Sequence, residues 1–560
     1  MSRESVESED EDCGAFRWGI ASFEPRADAV LLWTRLSPGP TEVHWQLTAD
    51  PDCQTVLAEG EGRTDSAADH TVCVDATGLT PGTTYWYRFR AGDEWSPVGR
   101  TRTLPAAPTE RFRLGYVCCS RYSVAPLGVY RAMADREVDL VVHLGDYIYE
   151  DDEKRGPRRH RPPRPAVTLD DYRQRLAQVR EDPDCRALHL RHPVTVIWDD
   201  HDLADNAWRD GAKAHDDATQ GIWATRVEAA ARARQEWLPS RLRDPGDPTL
   251  TWRSIVIGDL AELVLLDTRL TGRDRQPGDE GSIPLDDPRR SLLGDDQRAW
   301  LRERLVDTSR PWALVHSGVV VNELALRLPP VPGLNPLLPG GYAVLGGRVF
   351  HDDQWDGYPA ERDRAARWMS ERGASGGATI VVSGDVHSSW AFEGPPDPDA
   401  DGDDAPPVAV EVTVPSVSSV PMARSHLPGA WRAVDLSVRH MNHVRWAEIT
   451  ERGYAIVDVN RERAVAEWWF VDAFSGDPSG TAVLGAAFAT EQAARPPSWT
   501  EASSPPDPVR PDVPGSLPPR PTDLSQLRWR RRRRRGLETV LTVGAIAAPI
   551  AAVLARRRAR

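Results

Sequence analysis

Metal-binding and proton-transferring side chains follow four short apolar segments of this sequence, each of which we predict to be a buried strand. The segments are Leu114–Ser120, Leu140–Glu150, Val194–Asp202 and Thr379–His387. They carry Cys118, Cys119, Asp146, Asp199, Asp200, His201, Asp202, Asp385 and His387. Ligands of layered α/β folds bind beyond the strand ends, so we expect these side chains to meet there. One aspartate at a strand end indicates only a turn, whereas four such ends together predict a metal site.

The residue types suit a pair of cations. Two metal ions a few ångströms apart can hold a phosphate ester, activate a water molecule and stabilise the leaving oxygen. The candidate for the carboxylate that bridges them is Asp146. A hard cation such as Ca²⁺ would take oxygen ligands, which are available from Asp200, Asp385 and Asn206. A softer, Fe³⁺-like ion would take a thiolate, a phenolate and an imidazole, which are available from Cys119, Tyr149 and His387.

Most of these side chains also have a purely structural interpretation. A cysteine after a buried strand usually packs in the core, and Tyr149 alone could be a core aromatic. The run Asp199–Asp202 is harder to explain in that way, because like charges at the end of an apolar strand are costly unless a cation is present. His201 lies within this run, where it could hydrogen-bond a phosphate or protonate a leaving group.

Composition limits the possible function classes. The chain has 560 residues and a formal net charge of −15, which argues against a general nucleic-acid-binding protein. Its six cysteines are irregularly spaced, which indicates a reducing compartment rather than a disulfide-rich module. The first dozen residues are acidic where a secretory signal would carry positive charge and an apolar run, so we see no such signal.

The length predicts two folded domains with tails at both ends. Strand-like runs separated by turn residues indicate an immunoglobulin- or fibronectin-like β-sandwich at the N-terminus, and strands alternating with helical stretches indicate a larger α/β domain. The predicted divisions are a disordered acidic tail (1–15), the β-sandwich (16–105), the α/β domain (111–472), a Pro-rich linker (473–527) and a basic, apolar tail (528–560).

The last part of the chain predicts contact with a membrane. An apolar segment, Gly536–Ala555, is about long enough to cross a bilayer and is flanked by Arg530–Arg535 and Arg556–Arg558. The segment is rich in alanine, so the alternatives are a single transmembrane anchor and an amphipathic or disordered basic tail. We favour the anchor because arginine clusters suit lipid headgroups, and we expect the catalytic part at the cytoplasmic face of the membrane.

Several longer motifs resemble those of PhoD-type alkaline phosphatases in the metallophosphoesterase superfamily. The matching stretches are Gly19–Ser22, Val30–Leu36, Gly145–Glu150, Trp198–Asp202, Leu266–Arg269, Trp355–Pro359 and Ser383–Trp390, and they cover most of residues 16–472. The resemblance implies an α/β fold, namely a four-layer α/β/β/α sandwich behind the immunoglobulin-like domain. It also implies hydrolysis of phosphomonoesters, phosphodiesters or both by a metal-activated water.

The resemblance further implies a centre of Fe³⁺ and Ca²⁺, with Zn²⁺ or Mn²⁺ as alternatives. Carried over position by position, the iron ligands are Cys119, Asp146, Tyr149 and His387. The calcium ligands are Asp146, Asp200, Asp385 and Asn206. Asp146 and His201 are the expected catalytic residues. We expect small phosphate esters as partners, or lipid headgroups given the membrane tail, and no nucleic acid given the acidic charge.

Two positions depart from the family pattern. Cys118 stands where a small residue is usual, which leaves open which thiol binds metal, and His316 stands where glutamine is usual. We expect His316 to be an added ligand, a change in the substrate pocket or a packing residue. Two other functions are also considered. One is a phospholipase D-like phosphodiesterase, and the other is a membrane-tethered binding protein whose metal site has decayed.

Overall fold

Two β-sheets pack face to face at the centre of the structure. The computed structural model describes residues 14–152, 156–277, 281–324, 326–327, 342–345, 348–400, 405–422, 441–472, 481–515 and 518. In spatial order, the first sheet contains Thr500–Glu501 (β27), Ala482–Glu491 (β26), Arg463–Val471 (β25), Gly453–Asn460 (β24), Arg111–Val117 (β9), Leu140–His143 (β10), Pro193–Val196 (β11), Ile20–Phe23 (β1), Ala29–Arg35 (β2) and Thr71–Thr77 (β5). The second contains Arg253–Ile257 (β14), Ala261–Leu265 (β15), Trp312–Ser317 (β16), Ala378–Ser383 (β20), Val410–Thr413 (β22), Ser389–Glu393 (β21) and Val444–Glu448 (β23).

Helices cover the outer faces of both sheets. They are Gly128–Ala134 (α1), Leu169–Glu181 (α2), Pro183–Arg191 (α3), Asp217–Gln220 (α4), Trp223–Trp237 (α5), Gly294–Val306 (α6) and Pro359–Ala374 (α7). Short 3₁₀ helices span Ser66–Ala68, Asp200–Asp202 and Trp355–Gly357. Short strands form two further small sheets. In one, Ala207–Trp208 (β12) pairs with Gly211–Ala212 (β13). In the other, Arg348–His351 (β19) pairs with both Leu326–Arg327 (β17) and Tyr342–Leu345 (β18).

Three apolar cores lie between the layers. Strand β10 alternates between two of them, because Val141 packs beneath the helices and Val142 packs between the sheets. On the far side, Val381 of the second sheet packs with Leu301 of α6 and Met369 of α7. The layers therefore follow the predicted order of helix, sheet, sheet and helix.

The N-terminal β-sandwich shares a sheet with the larger domain. One of its layers is the N-terminal sheet, made of Val56–Arg63 (β4), Glu42–Thr48 (β3), Thr84–Ala91 (β6), Glu94–Trp95 (β7) and Gly99–Arg102 (β8). The other layer is β1, β2 and β5, which continue the first sheet because β1 pairs in parallel with β11. Every residue of β1 and β2 is buried, as expected of strands covered on both faces.

The predicted linker contains a strand, which corrects the expectation of an extended segment from residue 473. Ala482–Glu491 forms β26 by pairing antiparallel with β25. The physical reason is apolar burial: Phe488 and, further on, Trp499 pack into the core between the sheets. The Pro and Ser residues around this stretch predict a linker, but pairing with the open edge of β25 stabilises a strand there.

The segment after β27, residues 504–515, lies along the molecule and is here named the C-terminal strap. Its Asp507 pairs with Arg113 at 2.8 Å, and its Asp512 pairs with Arg191 at 2.6 Å. Val513 is buried in the core of the N-terminal sandwich. The strap therefore joins the larger domain to the N-terminal one.

The membrane prediction falls on a part of the chain that the structure does not describe. Within the described ranges, no helix has the length and apolar character needed to cross a bilayer. The predicted anchor, residues 536–555, and the acidic residues 1–13 lie outside those ranges.

Candidate metal centre

The site lies where the parallel strands of both sheets end. Asp146 follows β10 and Asp385 follows β20, and the two sheets present these ends on the same side. Gly145 makes the turn before Asp146 possible, because its φ is +96° and a Cβ there would lie 2.5 Å from the Asp199 nitrogen. A side chain at position 145 would therefore separate the two strand ends.

The backbone adopts a rare conformation at most of the predicted ligands. Among the described residues, nine that are not glycine have positive φ, and five of these are predicted ligands. The five are Cys119 (+59°), Asp146 (+55°), Asn206 (+52°), Asp385 (+64°) and His387 (+51°). Such conformations are costly and cluster at functional sites, where the surrounding structure enforces them.

A sulfur, a carboxylate and an imidazole meet on one side of the site. One ligand atom each from Cys119, Asp146 and His387 lies within 4.8 Å of the others. The hydroxyl of Tyr149 lies 3.1 Å from Nε2 of His387 and accepts a hydrogen bond from Ser419 at 2.7 Å. Nδ1 of His387 is 3.0 Å from the Val420 carbonyl, which assigns the proton to Nδ1 and directs Nε2 into the site.

Oxygen ligands gather on the other side. Carboxylate oxygens of Asp146, Asp199, Asp200 and Asp385 lie within 4.8 Å of one another. The predicted ligand Asn206 is joined to this group through its backbone nitrogen, which donates to Asp200 Oδ2 at 2.7 Å. Asp146 belongs to both halves, so it occupies the position that a bridging carboxylate requires.

His201 lies at the edge of the centre between two carboxylates. Its Nδ1 is 2.7 Å from Glu150 Oε2, and its Nε2 is 3.8 Å from Asp205 Oδ1. Burial by itself lowers the pKa of His201, but the charges of Asp200, Glu150 and Asp146 outweigh it and raise the pKa well above its ordinary value. These carboxylates therefore favour the imidazolium form of the ring, which can donate a proton.

Asp202 has a structural role that the sequence does not reveal. Its carboxylate accepts hydrogen bonds from the backbone nitrogens of Asp146 at 2.9 Å, Tyr147 at 2.9 Å and Asp199 at 3.0 Å. It thereby fixes the two strand ends that carry Asp146 and Asp200. Because its oxygens accept these backbone hydrogen bonds, Asp202 positions the candidate ligands without being one of them.

The electrostatics fit a site that holds cations. Burial raises the pKa of Asp146 well above its usual range, and Asp200 and Asp199 raise it further. Burial likewise raises the pKa of the Cys119 thiol. Oδ2 of Asp146 is buried and has no hydrogen-bond partner among the described residues. Thiolate, phenolate and carboxylate groups buried together are costly unless positive charge compensates them, so in their ionised forms these residues fit metal ions.

Part of that charge comes from Arg269, to which the sequence assigned no role. Its Nε donates to Asp199 at 2.5 Å, and one terminal nitrogen donates to Asp353 at 2.7 Å. Arg269 stands in one of the motifs that carry the resemblance. Its partners are 70 and 84 residues away along the chain, so only the fold reveals them.

The structure distinguishes the two adjacent cysteines and explains His316. Both are buried beside the core between the sheets, but Sγ of Cys118 lies 3.5 Å from the Val414 carbonyl, whereas Cys119 is the one that belongs to the metal-ligating group. His316 is fully buried, with Nε2 at 3.1 Å from the Tyr116 hydroxyl. Burial lowers its pKa to about 3, so of the three alternatives the structure favours packing.

Known proteins match both parts of the chain. The family described as "PhoD-like phosphatase" matches residues 114–468, and "PhoD-like phosphatase, N-terminal domain" matches residues 2–105. "Alkaline phosphatase D" of Bacillus subtilis (strain 168) is 33% identical over 401 residues, which are 67% of this chain and 65% of that protein's length. A solved structure titled "Structure of PhoD" superposes with a TM-score of 0.74 at 26% identity and covers 94% of this chain and 98% of that one. The chain therefore belongs to the PhoD-like phosphatase family.

Proposed function

We propose that this chain is a metal-dependent phosphoesterase that hydrolyses phosphomonoesters, phosphodiesters or both. The observation that carries the proposal is the meeting of Cys119 and His387 with the shared carboxylate Asp146, next to the hydroxyl of Tyr149. Family membership supports the same reaction. The matched relative is named for alkaline phosphatase activity, and its match spans about two thirds of its length.

The two halves of the site suit different cations. Cys119, Asp146, Tyr149 and His387 would hold Fe³⁺, because thiolate, phenolate and imidazole ligands suit such an ion. Asp146, Asp200, Asp385 and Asn206 would hold Ca²⁺, which prefers oxygen ligands, and Zn²⁺ or Mn²⁺ are alternatives. When bound, the pair supplies an activated water nucleophile and stabilises charge on the phosphate.

The chain's own residues supply the proton. Glu150 accepts from Nδ1 of His201 at 2.7 Å and so fixes the orientation of the ring. The ring also lies against Tyr149, with centroids 4.3 Å apart. In this position the His201 imidazolium can protonate the leaving oxygen or hydrogen-bond a phosphate oxygen.

Adjacent cysteines provide a matched test. We expect Cys119→Ala and Asp146→Asn to abolish turnover of p-nitrophenyl phosphate and bis-p-nitrophenyl phosphate by the purified full chain. Cys118→Ala should keep it, since the Cys118 thiol is outside the group of candidate ligand atoms. Elemental analysis of protein purified without added metal identifies the cations. Full activity in the first two variants would refute the proposal, and protein without metal or activity would instead support the decayed binding protein.

We also propose that residues 528–560 attach the protein to a membrane, at the cytoplasmic face. Support comes from the sequence, in which an apolar segment lies between arginine clusters. Anionic liposomes should bind the full chain and not a chain that ends at residue 518. Lipid headgroups become candidate substrates if those liposomes are hydrolysed, and equal binding of both chains would exclude the tail as the anchor.

A further inference from the structure

Arg269 lies at the centre of four buried or nearly buried carboxylates. These belong to Asp199, Asp200, Asp353 and Asp385. Its side chain is 1% exposed. A single guanidinium group therefore faces three of the four grouped carboxylates in the oxygen-ligand half of the candidate centre.

Two of the four carboxylates hold the guanidinium rigidly. Nε donates to Asp199 at 2.5 Å and Nη1 donates to Asp353 at 2.7 Å. Asp353 is fixed in turn by Gln276 at 2.7 Å and by Arg273. Because a guanidinium is planar, two such bonds determine where its third nitrogen points.

The third nitrogen, Nη2, points between the two remaining carboxylates. It lies 3.6 Å from Asp200 Oδ1 and 3.6 Å from Asp385 Oδ1, longer than an ordinary hydrogen bond. Nη2 is buried and has no hydrogen-bond partner among the described residues. Arg269 thus attracts the carboxylates of Asp200 and Asp385 without hydrogen-bonding their oxygens, whereas it hydrogen-bonds Asp199 directly.

We propose that Arg269 is a positioning residue for the oxygen-ligand half of the centre, holding Asp200 and Asp385 in place to receive a divalent cation while it hydrogen-bonds one oxygen of Asp199. This inference rests on the proposed function, since it assigns the cation to that same site. Its charge also limits the mutual repulsion of carboxylates that would otherwise separate before the cation binds.

Arg273 offers a matched control. It contacts the same Asp353 and is equally buried, but no contact joins it to Asp199, Asp200 or Asp385 in the described part of the chain. Arg269→Gln and Arg273→Gln therefore remove one guanidinium each from the same cluster. Only the first removes the group that faces the cation ligands.

The test is calorimetric titration of the full chain with calcium, with near-ultraviolet circular dichroism to confirm folding. Outer-shell partners of metal ligands typically contribute 10- to 100-fold to affinity, so we expect calcium binding to Arg269→Gln to weaken by about that factor. Arg273→Gln should lose clearly less, since Arg269 then keeps its own hydrogen bonds to Asp199 and Asp353. Arg269→Lys keeps the positive charge without the planar guanidinium group, so it should lose less calcium affinity than Arg269→Gln. It also replaces the glutamine variant in the test if that variant does not fold.

Three results would overturn the inference: wild-type affinity in both Arg269 variants, an equal loss in Arg273→Gln, or a wild type that takes up no calcium. The content of the metal held by Cys119 should not change in Arg269→Gln, which elemental analysis checks. Because calcium binding is measured rather than turnover, a wild type that binds calcium but hydrolyses no ester would refute the proposed function and leave this inference standing.

Discussion

Replacing Asp202 by asparagine tests whether one carboxylate holds the two strand ends of the site together. Oδ2 of Asp202 accepts from the nitrogens of Asp146 and Asp199, and Oδ1 accepts from those of Tyr147 and Ile148. The amide of asparagine has only one acceptor oxygen, so two of these buried donors lose their partner in either orientation. Each buried donor left unpaired costs about 1–3 kcal/mol, which gives a destabilisation of about 2–6 kcal/mol.

Thermal unfolding of the purified full chain measures this effect. The Asp202→Asn midpoint should fall by several degrees, and its metal content should fall as well, because Asp146 and Asp200 lose their support. Asp210→Asn is the surface control, since that side chain is 75% exposed, and it should leave the midpoint unchanged. If Asp202→Asn unfolded within about 1 °C of the wild type, the assignment of Asp202 as the organiser of the site would be wrong.

Three further predictions follow from the described contacts. Glu150→Gln should lower the pKa of His201, since Glu150 is among the charges that raise it, and the alkaline limb of the pH profile of kcat/KM should move to lower pH; an unmoved limb would exclude His201 as the acid. Removing cations with a chelator should lower the thermal midpoint and added calcium should restore it, because the buried carboxylates then repel one another; a midpoint insensitive to both would contradict a metal centre. Val513→Asp should lower the midpoint by placing a charge in the N-terminal core, whereas the fully exposed Val509→Asp should not, and equal midpoints would show that the strap does not stabilise the fold.

The convergence of the candidate ligands could be predicted from the sequence because topology brings these strand ends together. Asp146 and Asp385 each follow a short apolar strand, and parallel strands of stacked sheets end at a common edge. The choice between Cys118 and Cys119 could not be made in this way. It depends on the fold around the two residues, which places the Cys119 sulfur, and not that of Cys118, beside Asp146 and His387.

Contacts between distant parts of the chain were beyond prediction. Arg269 meets Asp199 across 70 residues, and no local pattern marks an arginine whose partners are buried carboxylates. Strand β26 was missed for a related reason, since its stability comes from the open edge of β25 and from the burial of Phe488 rather than from its own alternation. The shared sheet also depends on a remote pairing, between Phe23 and Val194.

The C-terminal strap has a consequence for exchanging parts of this protein with those of a relative. Trp86 in the N-terminal sheet donates to the carbonyl of Asp512, and Arg100 donates to that of Pro511 at 3.0 Å. The N-terminal sandwich and the C-terminal strap therefore have to be exchanged together. A chimera with the N-terminal β-sandwich of a relative would therefore also need that relative's C-terminal strap and a β1 strand able to pair with β11. Otherwise a gap would remain between the sandwich and the larger domain.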